Sequence, residues 1–406
     1  MKLSQRVLDV PDSITLKLNA KAQAMIEAGK KVFNLTAGQL PCKPPSEFVH
    51  SLSHELTSVK SFQYTPVSGL PKLREKIISD FEKSREILLD GSGTVFDVVI
   101  SNGGKHSLFN ILGALVDPGD EVLLFAPYWL SYPEMVKIWG GKSVVVAGNP
   151  ADRYAPSLKD VRASITSRTK AVIINSPNNP TGVHYSANWM KEFASLMKEY
   201  PKVWIISDEI YFKIAWGGET PTAFYQFEPS LLNRTVIIDG ISKSLASTGL
   251  RLGYAIAPNE ISVAVSKLQA QTTSGANALV QAALVHYDWS TMSGFLKNVN
   301  NLIRINSAIL EETLNQNGPN PVWYRPLSAF YFVVDFTKTK VFDIYSKKYP
   351  SEKDLAPRLC EDLLEQEGLA LVPLADFGLL NAGRLSLVLE EGPFKEASCR
   401  LSKFLG

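Results

Sequence analysis

Short apolar runs recur through the middle of the chain, each closed by a polar or glycine-bearing turn: DVVI at 97–100, EVLLF at 121–125, SVVV at 143–146, AVIIN at 171–175, VWIIS at 203–207, TVIID at 235–239 and GYAIA at 253–257. They are strand-length and rich in β-branched residues, which predicts strands rather than buried helices. Continuous apolar character, instead of strict alternation, predicts a sheet covered on both faces with helices in the crossovers. One such helix is expected over 105–116, closed by Pro118-Gly119-Asp120. The pattern changes toward both ends. Before the strands come a helix over 18–28 stopped by Gly29, a strand-like VFNL, a rigid, exposed-looking connection TAGQLPCKPP at 36–45, and helices over 47–57 and 70–84. Beyond residue 285 come a long helix over 291–317, the turn GPNP, a strand-like SAFYFVVDF, a helix over 353–367, and the segments LALVP and GRLSLV. The expectation is an α/β chain with a large three-layer α/β/α domain over 46–284 and a smaller α+β domain over 285–406. Residues 1–45 form an N-terminal arm and part of the small domain.

Length and composition narrow the function classes. With 406 residues the chain is long enough for two cores. A 45% hydrophobic content and a formal charge of +2 give no pull toward nucleic acid or a membrane surface. Cys42, Cys360 and Cys399 make neither a disulfide framework nor a CxxC pair, which suits a reducing compartment. The opening MKLSQRVLDVPDS lacks a secretory apolar run, and no stretch has membrane-spanning length. A cytoplasmic protein is expected.

Several familiar motifs do not fit. GGKS at 140–143 has Val136 where a phosphate loop needs its first glycine, so it reads as a turn before a strand. No GxGxxG follows a strand, and no GxSxG elbow presents a serine. His50 and His54 have helix-facing spacing but lack the intervening glutamate of a zinc protease, so no metal is expected.

The informative residues stand at the ends of predicted strands, where open α/β sheets form their ligand crevice. SNGGK follows DVVI and enters a helix; the amides of Gly104 and Lys105 suit either an anion or a plain glycine turn. Asn179 lies in SPNNPTG after AVIIN, as a cap or a ligand contact. Asp208 follows VWIIS directly, with Tyr211 three residues on; a buried carboxylate there needs a partner such as a protonated ring nitrogen, or it caps a helix. Lys243 and Arg251 flank SLASTGL after TVIID, and a lysine at that depth suits Schiff-base chemistry if its amine is partly deprotonated. Arg251 offers a planar fork for a phosphate.

Taken in order, LNAKA, YTPVSGLPKLRE, SNGGK, DPGDEV, APYWLSYPE, NSPNNPTG, SDEIY, SKSLASTGLRLGY and GRLSLV resemble the fold-type I aminotransferases of class I/II, in the aspartate aminotransferase superfamily, over nearly the whole chain. The resemblance implies pyridoxal 5′-phosphate as cofactor. It implies that Lys243 forms the Schiff base and serves as acid–base, and that Asp208 partners the protonated pyridine nitrogen. Tyr211 and Asn179 would contact the phenolic oxygen, and Trp129 would stack on the ring. Gly104, Lys105 and Arg251 would hold the phosphate, the first two through backbone amides. Tyr64 would reach the phosphate from a neighbouring subunit, implying a homodimer with shared sites. Arg384 would grip the substrate α-carboxylate, with Gly38 a backbone contact beside it.

Two departures stand out. Gly240 replaces the hydroxyl residue common three positions before the lysine, with Ser242 a candidate substitute. From Gly38 the chain reads GQLPCKPP where relatives often read GEPDF, next to the substrate entrance. The expected reaction is amino transfer from aspartate to 2-oxoglutarate. The alternatives are an aromatic or broad-specificity aminotransferase, a lyase using the same cofactor, or a regulatory protein on the same fold. No residue is assigned to the second carboxylate, although Arg325 and Lys17 are conceivable; Trp323, Tyr324, Phe330 and Tyr331 suit either an apolar pocket or the core.

Overall fold

The computed structural model describes all residues except 1–2, 12–13, 90–92 and 318–323; Trp323 and the GPNP turn therefore lie outside the described residues. All seven apolar runs become strands of one eight-stranded sheet: β1 (Phe96–Ser101), β2 (Glu121–Ala126), β3 (Lys142–Asn149), β4 (Ala155–Pro156), β5 (Thr169–Asn175), β6 (Trp204–Asp208), β7 (Thr235–Gly240) and β8 (Gly253–Pro258). Only the two-residue β4 has no counterpart among the runs. The strand order is β1-β8-β7-β6-β5-β2-β3-β4. The β7-β6-β5-β2-β3 block is parallel, while β8 runs against both its neighbours and β4 against β3.

Within six of the runs the side chains alternate between two separate cores; in SVVV, near the sheet edge, Val144 and Val146 pack on one of them and Val145 is exposed. On β2, Leu123 and Phe125 point to one face and Val122 and Leu124 to the other. The first face receives Leu73, Ile77 and Phe81 of the Pro71–Arg85 helix, spaced four apart on one helical stripe, and Trp189, Met190 and Phe193 of the Ala187–Lys198 helix. The second receives Leu108, Ile111, Leu112 and Leu115 of the Gly104–Leu115 helix and Ile261 and Val265 of the Asn259–Ala270 helix. Helix, sheet and helix make three layers. Each fully buried Leu or Ile side chain contributes about 1.5–3 kcal/mol relative to exposure.

A second, antiparallel sheet is built from Tyr331–Asp335, Ala382–Ser386 and Val372–Pro373, with Ala382–Ser386 in the middle. The Met292–Asn317 and Glu391–Leu405 helices pack together beside it. Phe33–Asn34 pairs in parallel with Leu369–Ala370, and the Ser386 amide donates to the Leu35 carbonyl at 2.9 Å. The N-terminal segment is thereby joined to the C-terminal part of the chain.

Some expectations shift. The 36–45 connection is not exposed throughout: Thr36 is 5% accessible and Leu40 8%, because this segment runs under the small sheet before Pro41 to Lys43 reach solvent. LALVP splits into two short strands, and the Lys340–Lys348 and Glu391–Leu405 helices carry no signal in the reading above. Among the described residues, no helix is long and apolar enough to cross a membrane.

Candidate active site

The parallel strands end at one edge of the large sheet, and β8, running the other way, begins there. The residues just beyond β1, β2, β5, β6 and β7 and just before β8 therefore converge. They line a cavity of about 470 Å³ together with residues of the small sheet and the N-terminal segment. Ten of the sequence candidates line it: Gly38, Gly104, Lys105, Trp129, Asn179, Asp208, Tyr211, Lys243, Arg251 and Arg384. Tyr64 does not; it stands outside, 95% accessible.

One end of the cavity collects groups suited to an anion. Gly103 has φ +90°, and a Cβ there would lie 2.7 Å from Arg251 Nη2. This glycine lets the chain turn into the Gly104–Leu115 helix, whose first-turn amides lack intrahelical acceptors. Arg251 is anchored by donation from Nη1 to the Thr248 carbonyl at 2.8 Å and from Nη2 to the Asn102 carbonyl at 3.3 Å. The Lys105 side chain is accessible, yet its ammonium lies 4.7 Å from the centre of the Trp129 ring; burial of that end and the Arg251 charge lower its pKa. Ser242 also lines the cavity. Gly240 has a structural reason: a Cβ there would come 2.7 Å from Gly253 Cα, where β7 and β8 meet.

The opposite side holds a carboxylate that makes no salt bridge among the described residues. Asp208, 4% accessible, accepts from the Tyr132 hydroxyl at 2.6 Å and from the Ile210 amide at 3.3 Å. Burial pushes its pKa up to about 6, against the pull of those two donors. Between the two ends, Lys243 donates to the Gly38 carbonyl, and its amine lies 5.6 Å from the ring centres of both Tyr211 and Phe330. Burial first, and then the Arg384 and Arg251 charges, bring its pKa down to about 8. A lysine so poised is partly neutral near physiological pH, far more so than an ordinary lysine.

Arg384 comes from the middle strand of the small sheet. Its Nη1 donates to Asn179 Oδ1 and its Nη2 to the Thr36 carbonyl, both at 2.9 Å, while Nε is buried without a partner. The backbone carbonyl beside this arginine thus belongs to Thr36, whereas that of Gly38 faces Lys243. Thr36, Tyr132 and Asn175 are not among the residues to which the sequence motifs give a role. The Asn175 side chain ties Asn179 N and the Asp208 carbonyl together at 3.0 and 2.9 Å. Tyr132 did carry a signal: it stands in the same APYWLSYPE segment as Trp129, three residues on. Arg325 stands near Glu311, with a 65% accessible side chain, and is not among the cavity-lining residues. The Tyr324 hydroxyl is taken by the Thr181 carbonyl.

The donor set fits pyridoxal phosphate: an anion end with an arginine and helix-start amides, a buried carboxylate wanting a cation, an aromatic slab, and a lysine amine with a lowered pKa between them. An α/β sheet with this arrangement at its strand ends defines the class of fold-type I enzymes that carry this cofactor. The family follows from comparison with known proteins. Residues 30–398 match the aminotransferase class I and II family. The chain is 33% identical to the aspartate/prephenate aminotransferase of Thermus thermophilus, covering 100% of this chain and 99% of that protein. It is 35% identical to the aspartate aminotransferase of Thermotoga maritima, with 99% of each covered. The solved structure of the aspartate aminotransferase from Thermus thermophilus with maleate superposes with a TM-score of 0.88 at 31% identity, over 100% of both chains. The chain belongs to the class I and II aminotransferases and is a pyridoxal-phosphate-dependent enzyme.

Proposed function

We propose that the cavity catalyses reversible amino transfer from an L-amino acid, aspartate above others, to 2-oxoglutarate, with pyridoxal phosphate held on Lys243 as a Schiff base. When bound, the cofactor supplies an electron sink for the bond broken at the substrate α-carbon. Arg251 and the amides of Gly104 and Lys105 hold the phosphate, and Trp129 stacks on the ring. Asp208, destabilised as an anion by burial, is relieved by a protonated ring nitrogen and so keeps that nitrogen charged. Asn179 has its Oδ1 occupied by Arg384, which leaves its NH₂ end to donate to the phenolic oxygen beside the Tyr211 hydroxyl. Once the substrate amine has taken its place on the cofactor, the freed Lys243 amine would be the base that takes up the substrate α-proton and the acid that gives it back.

The observation that carries the substrate reading is the set of four basic side chains around one cavity. Arg251 serves the phosphate and Lys243 the cofactor link. Arg384 serves the α-carboxylate, which would lift the penalty on its unpartnered Nε. The Lys105 ammonium remains, with no carboxylate paired to it among the described residues, and suits a second carboxylate. Relatives named aspartate/prephenate aminotransferase support this, since both substrates carry two carboxylates. Trp129, Leu130, Tyr331 and Phe377 in the lining favour a second reading, a broad-specificity enzyme that also takes aromatic side chains. The deciding measurement is kcat/KM for aspartate, glutamate, phenylalanine, tyrosine, alanine and methionine with one oxo acceptor. Aspartate should lead. A neutral amino acid preferred by about 100-fold, roughly 2.7 kcal/mol of transition-state stabilisation, would overturn the aspartate assignment.

Three further expectations stand as part of this proposal. The accessible Leu56, Val59, Phe62 and Tyr64 form an apolar face suited to a second copy, with Tyr64 completing the partner's phosphate site. Residues 46–284 and 285–406 act as large and small domains, with 1–45 as arm and part of the small one. The free cysteines Cys42, Cys360 and Cys399 suit the cytoplasm.

A further inference from the structure

Tyr331 lies at the start of the Tyr331–Asp335 strand, 1% accessible, and touches two residues of the proposed machinery at once. Its hydroxyl is 2.9 Å from the Tyr211 hydroxyl, and its ring centre is 4.5 Å from the Arg384 guanidinium carbon. Arg384 sits on the neighbouring strand, two positions from Ser386, the residue paired with Tyr331. Packing alone would not need the hydroxyl: the adjacent Phe330 is fully buried and edges against the same Tyr211 ring at 5.6 Å. A Cβ at residue 38 would lie 3.3 Å from the Tyr331 hydroxyl, so Gly38 also lets the N-terminal segment close over it.

A phenol has one proton to give and two lone pairs to offer. If Tyr331 donates to the Tyr211 oxygen, the Tyr211 proton is free to point into the cavity, and each bond of such a chain strengthens the next. Both phenols are kept protonated by burial. The charged and titratable groups facing them are Arg384 on the small sheet, Asp208 on β6, Lys243 after β7, and the more distant Tyr132 phenol beside Asp208.

We propose that Tyr331 is a positioning residue with two working ends: its ring fixes the plane of Arg384 for the substrate α-carboxylate, and its hydroxyl donates to Tyr211, aiming the Tyr211 proton at the cofactor's phenolic oxygen. The inference rests on the assignment of Tyr211 and Arg384 made above. A donor at the phenolic oxygen favours the more negative form of the bound chromophore and so lowers the pH midpoint of its absorbance change.

The test uses the holoenzyme of wild type, Tyr331→Phe, Tyr331→Leu and Tyr211→Phe. Absorbance is titrated against pH, and succinate, a non-reacting dicarboxylate, is titrated as a binding probe. Tyr331→Phe should raise the midpoint by about 0.3 pH unit, and Tyr211→Phe by about 1 unit. Tyr331→Phe keeps the ring and should bind succinate within about twofold of wild type; Tyr331→Leu should bind it about fivefold more weakly. A wild-type midpoint in Tyr331→Phe alongside a raised one in Tyr211→Phe overturns the relay while leaving the Tyr211 assignment intact. Unmoved midpoints in both overturn that assignment and the relay with it. Wild-type succinate binding in Tyr331→Leu overturns the role of the ring.

Discussion

Asp208 and Glu209 are neighbours at the end of one strand, both buried, and they sit in opposite circumstances. Glu209 Oε2 receives Arg85 Nε and Nη2 at 2.9 and 2.8 Å; its Oε1 receives the hydroxyls of Ser207 at 2.9 Å and Tyr225 at 2.8 Å. Arg85 also lies 3.7 Å from Asp239 and covers the Phe212 ring at 3.4 Å. Burial works against the Arg85 charge, and Glu209, Tyr225 and Asp239 more than restore it. Asp208, facing the other way, has a tyrosine and an amide but no salt bridge among the described residues; burial outweighs these donors and the Lys243 charge, and its acidity is suppressed. Lys243 and Arg384, across the cavity, are likewise left with unmet demand. The difference teaches how to tell buried charge that holds a fold together from buried charge held for a ligand. The first is satisfied within the chain; the second is kept short of partners that only a bound molecule brings.

The comparison breaks most visibly if Lys243→Ala and Arg85→Met behave alike. Lys243→Ala should abolish transfer, by roughly 10⁴-fold or more, because the amine proposed to carry the cofactor and move the proton is gone. Its melting temperature without cofactor should not fall, since a poorly accommodated amine has been removed. Arg85→Met should do the reverse. Stranding Glu209 in the interior should cost about 3–5 kcal/mol in urea unfolding. Equal loss of stability in both variants would show that the two clusters are not distinct in kind.

Asp208 gives a finer cut, through pH. Its folded pKa of about 6 stands above the ordinary 3.8. The folded state therefore binds more protons between those values, and the stability Asp208 contributes, full below pH 3.8, is lost as pH rises through about 6. Asp208→Asn should flatten that part of the stability curve of the cofactor-free protein. At neutral pH it should stabilise the fold by roughly 3 kcal/mol while lowering kcat, a gain in stability at the expense of function. A curve between pH 4 and 6 no flatter than wild type would show that Asp208 is not held under strain.

How far this division could be read from the chain depends on distance along it. The strands were legible because each is a short, self-contained apolar run such as AVIIN or TVIID. Most of the cavity was legible because its residues fall immediately after those runs, as Asp208 does after VWIIS. What stayed hidden depends on partners far away in sequence. Tyr331 and Tyr211 are separated by 120 residues, and Arg85 and Glu209 by 124. Nothing local in DFEKSREI distinguishes the buried Arg85 from a solvated helix end. The proline-rich 36–45 segment looked like an exposed connection because its composition is that of a loop; only the closed fold brings the Thr36 carbonyl to Arg384. Gly240, a puzzling departure by pattern, is explained once β8 is seen lying against β7.

The smallest expected effect concerns the one cavity cation that the sequence assigned through its backbone. Lys105 was expected to offer its amide to the phosphate, and its position at the helix start suits that. Its side chain adds something separate, an ammonium over the Trp129 ring with its proton affinity lowered by burial and by Arg251. Lys105→Gln keeps the backbone amide and most of the side-chain length while removing the charge. If the ammonium meets a second carboxylate, kcat/KM for aspartate should fall by about 10- to 100-fold, in keeping with about 1.5–3 kcal/mol for a charge-assisted hydrogen bond. The value for alanine should stay within about twofold, and the cofactor should remain bound, since Arg251 and the helix-start amides are untouched. Because the side chain is accessible, the melting temperature should hardly change. Equal losses for aspartate and alanine would assign the ammonium to the cofactor instead. Lys105 would then join Arg251 at the anion end, and the second carboxylate would need another donor.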